Sequence, residues 1–187
     1  MNTTFYCPTC YFEQTTMVIQ KEETLQVKDR EITLTVPVRV CKICNEEIYD
    51  KDLDSKTLQM FYSEYRRLEG LLQPEEIKNI RLKYHLSQAS LAKMLGFGEK
   101  TITRYENGAI QDASHDLLIR QVANEISFQI LWETRSEYVS AREREHIDRL
   151  LRKYNSFHVK TSYRNFVIYN SQSINNFQYQ QGEDYAS

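Results

Sequence analysis

The sequence predicts an α+β chain: a small N-terminal β-hairpin module pinned by its cysteines, then an all-α helix-turn-helix unit with a C-terminal helical extension. Three observations predict it. The only four cysteines fall as two Cys-x2-Cys pairs, Cys7/Cys10 and Cys41/Cys44, with 30 residues between the pairs. Residues in that insert alternate apolar and polar at period two. Past residue 70 the period becomes helical, and two short helical segments meet across a Gly-containing turn.

Two such cysteine knuckles can present four thiolates to one tetrahedral Zn2+, each pair closing a tight turn and the insert returning the chain to complete the site. Four thiolates leave no position open to water, so a zinc held by Cys7, Cys10, Cys41 and Cys44 is structural. The same residues also admit two vicinal redox disulfides or four buried thiols, although a thioredoxin-type pair is expected singly, opening a helix in a βαβ setting. In the insert, Ile32, Leu34, Val36, Val38 and Val40 alternate with Glu31, Thr33, Thr35, Pro37 and Arg39. This predicts a strand with one apolar face. Thr15 to Val27 predicts a less regular partner strand, with Lys28-Asp29 as the turn. Pro37 has no N–H for a ladder bond and marks a sheet edge. A two-strand unit is too small to be stable alone, and zinc supplies the missing stabilisation.

Asp50-Lys-Asp52-Leu-Asp54 opens like a calcium loop, but Ser55 and Phe61 stand where that loop needs Gly and Glu. The acidic run instead predicts a helix start with Asp54 or Ser55 as N-cap. Leu58, Phe61, Tyr65 and Leu68 form its inner stripe and Gly70 ends it.

Gln73-Pro74-Glu75-Glu76 predicts the next helix start, with Ile77, Ile80 and Tyr84 facing in. Ser87 caps a short helix from Gln88 to Leu95, Gly96-Phe97-Gly98 turns the chain, and a further helix runs from Glu99 to Glu106, closed by Asn107-Gly108. Ile102 and Tyr105 face in, whereas Lys100, Thr103 and Arg104 share the outward face. An outward face of Lys, Thr and Arg suits the major groove, where Arg and Lys read guanine edges. An ordinary helical hairpin with a solvated polar face would show the same spacing.

After Gly108, Ser114 can cap a helix with Leu117, Leu118, Val122, Ile126 and Ile130 inside. Glu133 to Lys153 reads as one highly charged, solvated helix with Ile147, Leu150 and Leu151 apolar. The final 33 residues, 155–187, hold 14 Asn, Gln and Ser and 7 Phe and Tyr. Such a composition is disorder-prone, with one strand expected from His158 to Tyr169. The expected boundaries are 1–70 for the zinc-binding module with its connector helix, 71–125 for the helix-turn-helix unit, 126–154 for the helical extension and 155–187 for the tail.

No apolar run approaches the roughly 20 residues of a membrane helix, and the N-terminus lacks a signal pattern, so a soluble cytoplasmic protein is expected. The net charge of −2 divides as −3 over residues 1–70, +2 over 71–111 and −1 over 112–187. The helix-turn-helix segment is thus the only net-positive block, as an anion site requires. Gly-x-Ser-x-Gly, a phosphate loop and a His-carboxylate zinc motif are all missing, and no enzyme is expected.

Leu86–Gly108, LSQASLAKMLGFGEKTITRYENG, resembles the helix-turn-helix of the lambda-repressor/Cro (XRE) family. Together with the upstream CPTC…CKIC module, residues 1 to about 125 resemble the MqsA-type antitoxins, which join a YgiT-type zinc domain to this motif. The resemblance implies a dimeric cytoplasmic regulator that represses its own operon at a palindromic operator in double-stranded DNA, with the zinc domain open to a partner toxin. The family's base-reading positions fall on Lys100 and Arg104; Arg104 matches the family residue, and Lys100 replaces the usual asparagine. A glutamine like Gln88 lies near phosphate or a base. The expected DNA-contacting set is Ser87, Gln88, Lys100, Thr101, Thr103 and Arg104. Two alternatives are a stand-alone or phage-type repressor without a toxin, and a zinc-stabilised adaptor that contacts only protein.

Overall fold

The computed structural model describes residues 4–158. It opens with three antiparallel strands, β1 (Thr4–Cys7), β2 (Phe12–Val27) and β3 (Arg30–Cys41), in the order β1-β2-β3. β1 is additional to the expected hairpin: four residues are too few to show alternation, and only pairing with Phe12–Thr15 defines it. β2 and β3 pair from Thr16 opposite Cys41 to Val27 opposite Arg30. Lys28, at φ 53°, makes the turn. β3 lies at the sheet edge, and its Ile32, Val36, Val38 and Val40 are buried beside half-buried Leu34.

Helix α1 (Lys51–Glu69) follows. Its N-cap is Asp50, not Asp54 or Ser55: the Asp50 carboxylate accepts from the N–H groups of Asp52 at 3.1 Å and Leu53 at 3.2 Å. Arg39 steadies that carboxylate from β3 at 2.7 Å, a tertiary contact invisible to local capping rules. α1 lays Phe61 and Tyr65 on the sheet and forms one core with Val27 and the β3 valines. The expected inner residues Leu58 and Leu68 stay largely exposed, because a sheet this narrow covers one ridge of the helix, Thr57–Phe61–Tyr65. Gly70 ends α1 in the left-handed conformation, φ 65°.

Helices α2 (Pro74–Lys83), α3 (Gln88–Met94), α4 (Thr101–Glu106), α5 (Ala113–Ala123), α6 (Glu125–Arg135) and α7 (Ala141–His158) complete the described chain, with a 3-10 turn at Ser136–Tyr138. A capping box between Gln73 and Glu76 starts α2. α5 is capped by Asp112 rather than Ser114, whose hydroxyl instead donates to Asp112.

α2 to α5 enclose a second core that includes Ile77, Leu91, Met94, Ile102 and Ile119. The C-terminal extension belongs to the same core. Phe128, Trp132, Val139 and Ile147 are buried in it, and Phe128 stacks on Tyr84 with ring centroids 3.5 Å apart. This overturns the expected inner face: Leu117, Leu118, Ile126 and Ile130 are exposed. The reason is local. Asn124, at φ −80° and ψ 128°, ends α5 and caps α6, so the helical phase restarts there and turns Phe128 and Trp132 inward. On α5 itself Asp116, Ile119 and Val122 are the buried residues.

The single charged helix expected over 133–153 is interrupted as well. Arg144 donates to the carbonyls of Ser136, Glu137 and Val139, which caps the 3-10 turn and starts α7 on a new axis. α7 is therefore not merely a solvated helix: Ile147 is wholly buried, while Leu150 remains outside. His158 ends α7, and the rest of the strand expected to Tyr169 lies with the tail, outside the described residues. Among the described residues no helix is long and apolar enough to cross a membrane.

Candidate metal centre and nucleic-acid interface

The cysteine pairs sit on two matching turns. Tyr11 N–H bonds the Cys7 carbonyl at 2.9 Å and Asn45 N–H bonds the Cys41 carbonyl at 3.0 Å. Tyr11 and Asn45, each one residue past its pair, adopt positive φ of 61° and 58°. The strand pairing then brings the knuckles together. Sγ of Cys7 lies 3.5 Å from that of Cys44, and Cys10 Sγ lies 3.9 Å from Cys41 Sγ. All four sulfurs fall within 4.8 Å of one another. A tetrahedron with metal–sulfur bonds of 2.3 Å has edges of about 3.8 Å, so the cluster has the size of a tetrathiolate metal site. Both of these close sulfur pairs join opposite knuckles and stand well beyond a disulfide bond, and all four cysteines are free.

Backbone N–H groups from Cys44 and Ile43 lower the Cys41 thiol to about 7. The Cys10 thiol is pushed up to about 12, first by its hydrogen bond with Cys44 and then by burial. Cys41 is ready to ionise and Cys10 resists a second negative charge. A divalent cation removes that resistance and leaves coordinating thiols deprotonated.

In the second candidate site, Gly96, at φ 78°, turns the chain from α3 to α4. Ile102 and Tyr105 are buried and Arg104 is fully outward. Lys100 is the N-cap of α4, one residue before the helix proper, so the helix is shorter than its expected start at Glu99. Its carbonyl still accepts from Arg104 N–H at 3.0 Å, which keeps the two cations one turn apart. Both are exposed, and neither pairs with a carboxylate among the described residues. Thr101 and Thr103 are half-buried beside them.

The other expected contacts have internal partners. Gln88 donates to Glu106 at 2.7 Å and accepts from the Thr103 hydroxyl at 2.8 Å, bridging α3 to α4. Arg81 makes a bidentate pair with Glu106 at 2.6 and 2.8 Å, nearly closed to solvent. Burial pushes the Glu106 carboxyl up, but bonds from Arg81 and Gln88 outweigh it and hold it below its usual range. Ser87 N–H bonds the Glu143 carboxylate of α7 at 2.6 Å, and the same carboxylate accepts from Ser90. Arg81, Glu106 and Glu143 escaped sequence reasoning: partners 25 and 56 residues apart have no common local period.

A family model described as the antitoxin component of bacterial toxin-antitoxin systems, MqsA, matches residues 5–124. No curated protein matches the chain. The match spans the cysteine cluster, the three-strand sheet and all of α1 to α5, well over half of the 187 residues. The chain therefore belongs to the MqsA antitoxin family, the antitoxin side of a bacterial toxin-antitoxin system.

Proposed function

We propose that the chain is a cytoplasmic zinc-binding antitoxin, not an enzyme, which represses its own operon as a homodimer on palindromic double-stranded DNA. In this reading residues 71–125 bind DNA, residues 126–154 extend that unit's core, and residues 1–70 hold zinc and take the toxin. The observation that carries it is the pair of exposed cations on one face of α4, Lys100 and Arg104, neither paired with a carboxylate among the described residues, above a buried Ile102 and Tyr105. Arg104 has the reach for a bidentate contact to guanine in the major groove. Thr101 borders the same face. Gln88 and Thr103 act by locking α3 to α4, and Ser87 lies at the backbone side of the interface.

Zinc is supported by the four-sulfur geometry, since a tetrahedral set of four thiolates suits Zn2+. A toxin-facing role for the N-terminal module is supported by Tyr11, Phe12, Ile43 and Tyr49, large apolar side chains left exposed around the knuckles. A dimer is supported by the outward apolar face of α5 and α6, where Leu118, Ile130 and Leu131 line a groove of about 290 Å³.

The test is fluorescence anisotropy on the chain's own upstream DNA and on a scrambled copy at one salt concentration. Arg104→Ala should cost about 1–3 kcal/mol on the operator and little on scrambled DNA. Equal losses on both would reduce Arg104 to a phosphate contact, and failure of the wild type to prefer its own upstream DNA would remove the repressor reading.

A further inference from the structure

Among the described residues Arg66 is the largest side chain wholly enclosed, 1% exposed. It lies in the last turn of α1, yet no carboxylate pairs with it among the described residues. Its Nε has no hydrogen-bond partner, and its Nη2 donates to the carbonyl of Gly108. A guanidinium taken out of water without a counter-ion is costly to keep. What it receives in return is the C-terminal end of α4, where the helix dipole concentrates negative charge.

Gly108 is the residue on which α4 closes. Its N–H bonds the Tyr105 carbonyl at 3.0 Å, and Ala109 N–H bonds the carbonyl of Arg104 at 2.9 Å. The chain turns there at φ 97°, and a Cβ on Gly108 would lie 2.0 Å from Gln59 Oε1 of α1. Immediately after it the chain belongs to both cores: Ala109 packs on the helical core and Ile110 on the core of the sheet and α1. At its other end, α4 has only Lys100 as N-cap, with no side-chain capping bond. A six-residue helix without a side-chain cap at its start depends on its buried face, on the Gln88 and Arg81 bonds to Thr103 and Glu106, and on the contacts at its end for its pose.

We infer that Arg66 is a positioning residue for DNA reading: the cysteine-bearing part of the chain, through this buried guanidinium and the Gln59–Gly108 contact, holds α4 in the pose that presents Arg104. The inference rests on α4 being the DNA-reading helix. It implies that a ligand of the N-terminal module that shifts α1 is felt at Arg104 without touching DNA. A separate bond joins the two parts at the linker: Arg120 donates to the Gly70 carbonyl at 2.7 Å. Beside it Gln111 donates to the Leu72 carbonyl at 2.6 Å and Leu72 N–H to Asp116 at 2.8 Å, anchoring the start of the helical unit. The linker stays anchored when Arg66 is replaced, so its removal reads out at the end of α4.

The test is Arg66→Met in the full-length, metal-loaded protein, followed by amide hydrogen exchange. The Gly108 and Ala109 amides should exchange at least about tenfold faster while Leu91 and Leu95 in and after α3 are unchanged, since exchange reports local opening. The ratio of operator to scrambled-DNA affinity should fall at least about fivefold with scrambled affinity unchanged, and Arg66→Lys should restore part of both. Unchanged exchange at Gly108 and Ala109 would overturn the inference. Uniform acceleration through α2 to α5 would also overturn it, by making Arg66 a general packing element. If Arg66→Met does not fold, Gln59→Ala removes the α1 side of the contact with Gly108 without straining that glycine; it should give the same selective acceleration, and its absence would again overturn the inference. Exchange involves no DNA, so wild-type protein that fails to prefer its operator would sink the repressor reading while the amides still decide the role of Arg66.

Discussion

Phe128→Ala removes a side chain that is 0% exposed, stacked on Tyr84 at 3.5 Å and 5.9 Å from Trp132 between ring centroids. These three rings, from the C-cap of α2 and from α6, join the extension to the core of α2 to α5. Truncating a buried Phe in such a site costs about 3–5 kcal/mol. With a urea slope of about 2 kcal/mol/M, a loss of about 4 kcal/mol lowers the unfolding midpoint by about 2 M. Domain stabilities of about 5–15 kcal/mol leave the variant folded without denaturant. Trp132 is the only tryptophan and is 5% exposed in the same core, so its fluorescence follows this transition directly. Ile126→Ala is the matched control. Helical spacing from α5 puts Ile126 inside, whereas it is 58% exposed in the structure, so its truncation should stay within about 0.5 kcal/mol. A Phe128→Ala loss below about 1 kcal/mol, or an equal loss from both variants, would refute the shared core and the phase restart at Asn124.

Cys41→Ser should abolish binding of what we expect to be one zinc per chain and melt the sheet, while the Trp132 transition persists; freshly purified wild type with less than about half an equivalent of metal would argue against the site. Burial pushes the Asp116 carboxyl up, but bonds from Leu72 N–H, Gln111 and Arg120 outweigh it and hold it below its ordinary 3.8. Its contribution is therefore present above about pH 4 and lost as pH falls through its folded value; urea midpoints at pH 7, 4 and 3 should show this loss shrink in Asp116→Asn, and an unchanged acid profile would contradict it. Ile130→Glu puts a charge into the α5–α6 groove and should convert the proposed dimer to monomer in light scattering without lowering the urea midpoint; a dimer that persists in the variant would move the proposed interface elsewhere.

The parts legible in the sequence rest on residues whose meaning is local. Alternation at Ile32, Val36, Val38 and Val40 identifies β3 because a strand's side-chain period is intrinsic to its backbone. The two Cys-x2-Cys pairs identify the metal cluster because each knuckle is a self-contained turn; only their meeting depends on the hairpin. Gly70, Pro74, Ser87 and Gly108 punctuate the helices because caps and breaks are one-residue events. The outward Lys100 and Arg104 follow from a helix phase set by Ile102 and Tyr105 a few residues away. Resemblance to a known family was legible for the same reason, since its motifs are contiguous.

What only the tertiary structure decided concerns residues whose partners are far along the chain. Periodicity names an apolar face but not which ridge of it a neighbour covers, so Leu58 and Leu68 stay outside when a narrow sheet takes Thr57, Phe61 and Tyr65. It also assumes one continuous helix, and at Asn124 a single residue in extended conformation resets the phase, exchanging Ile126 and Ile130 for Phe128 and Trp132. Arg81 with Glu106, Glu143 with Ser87, and Arg66 with Gly108 are matched by burial and geometry across 25 to 56 residues. The sequence by itself determined β2, β3 and α1 to α4 in outline, the cysteine cluster and the outward cationic face of α4. The fold decided which polar groups are spent inside, and so which remain exposed to a partner, because a hydrogen bond between distant residues exists only once packing has brought them together.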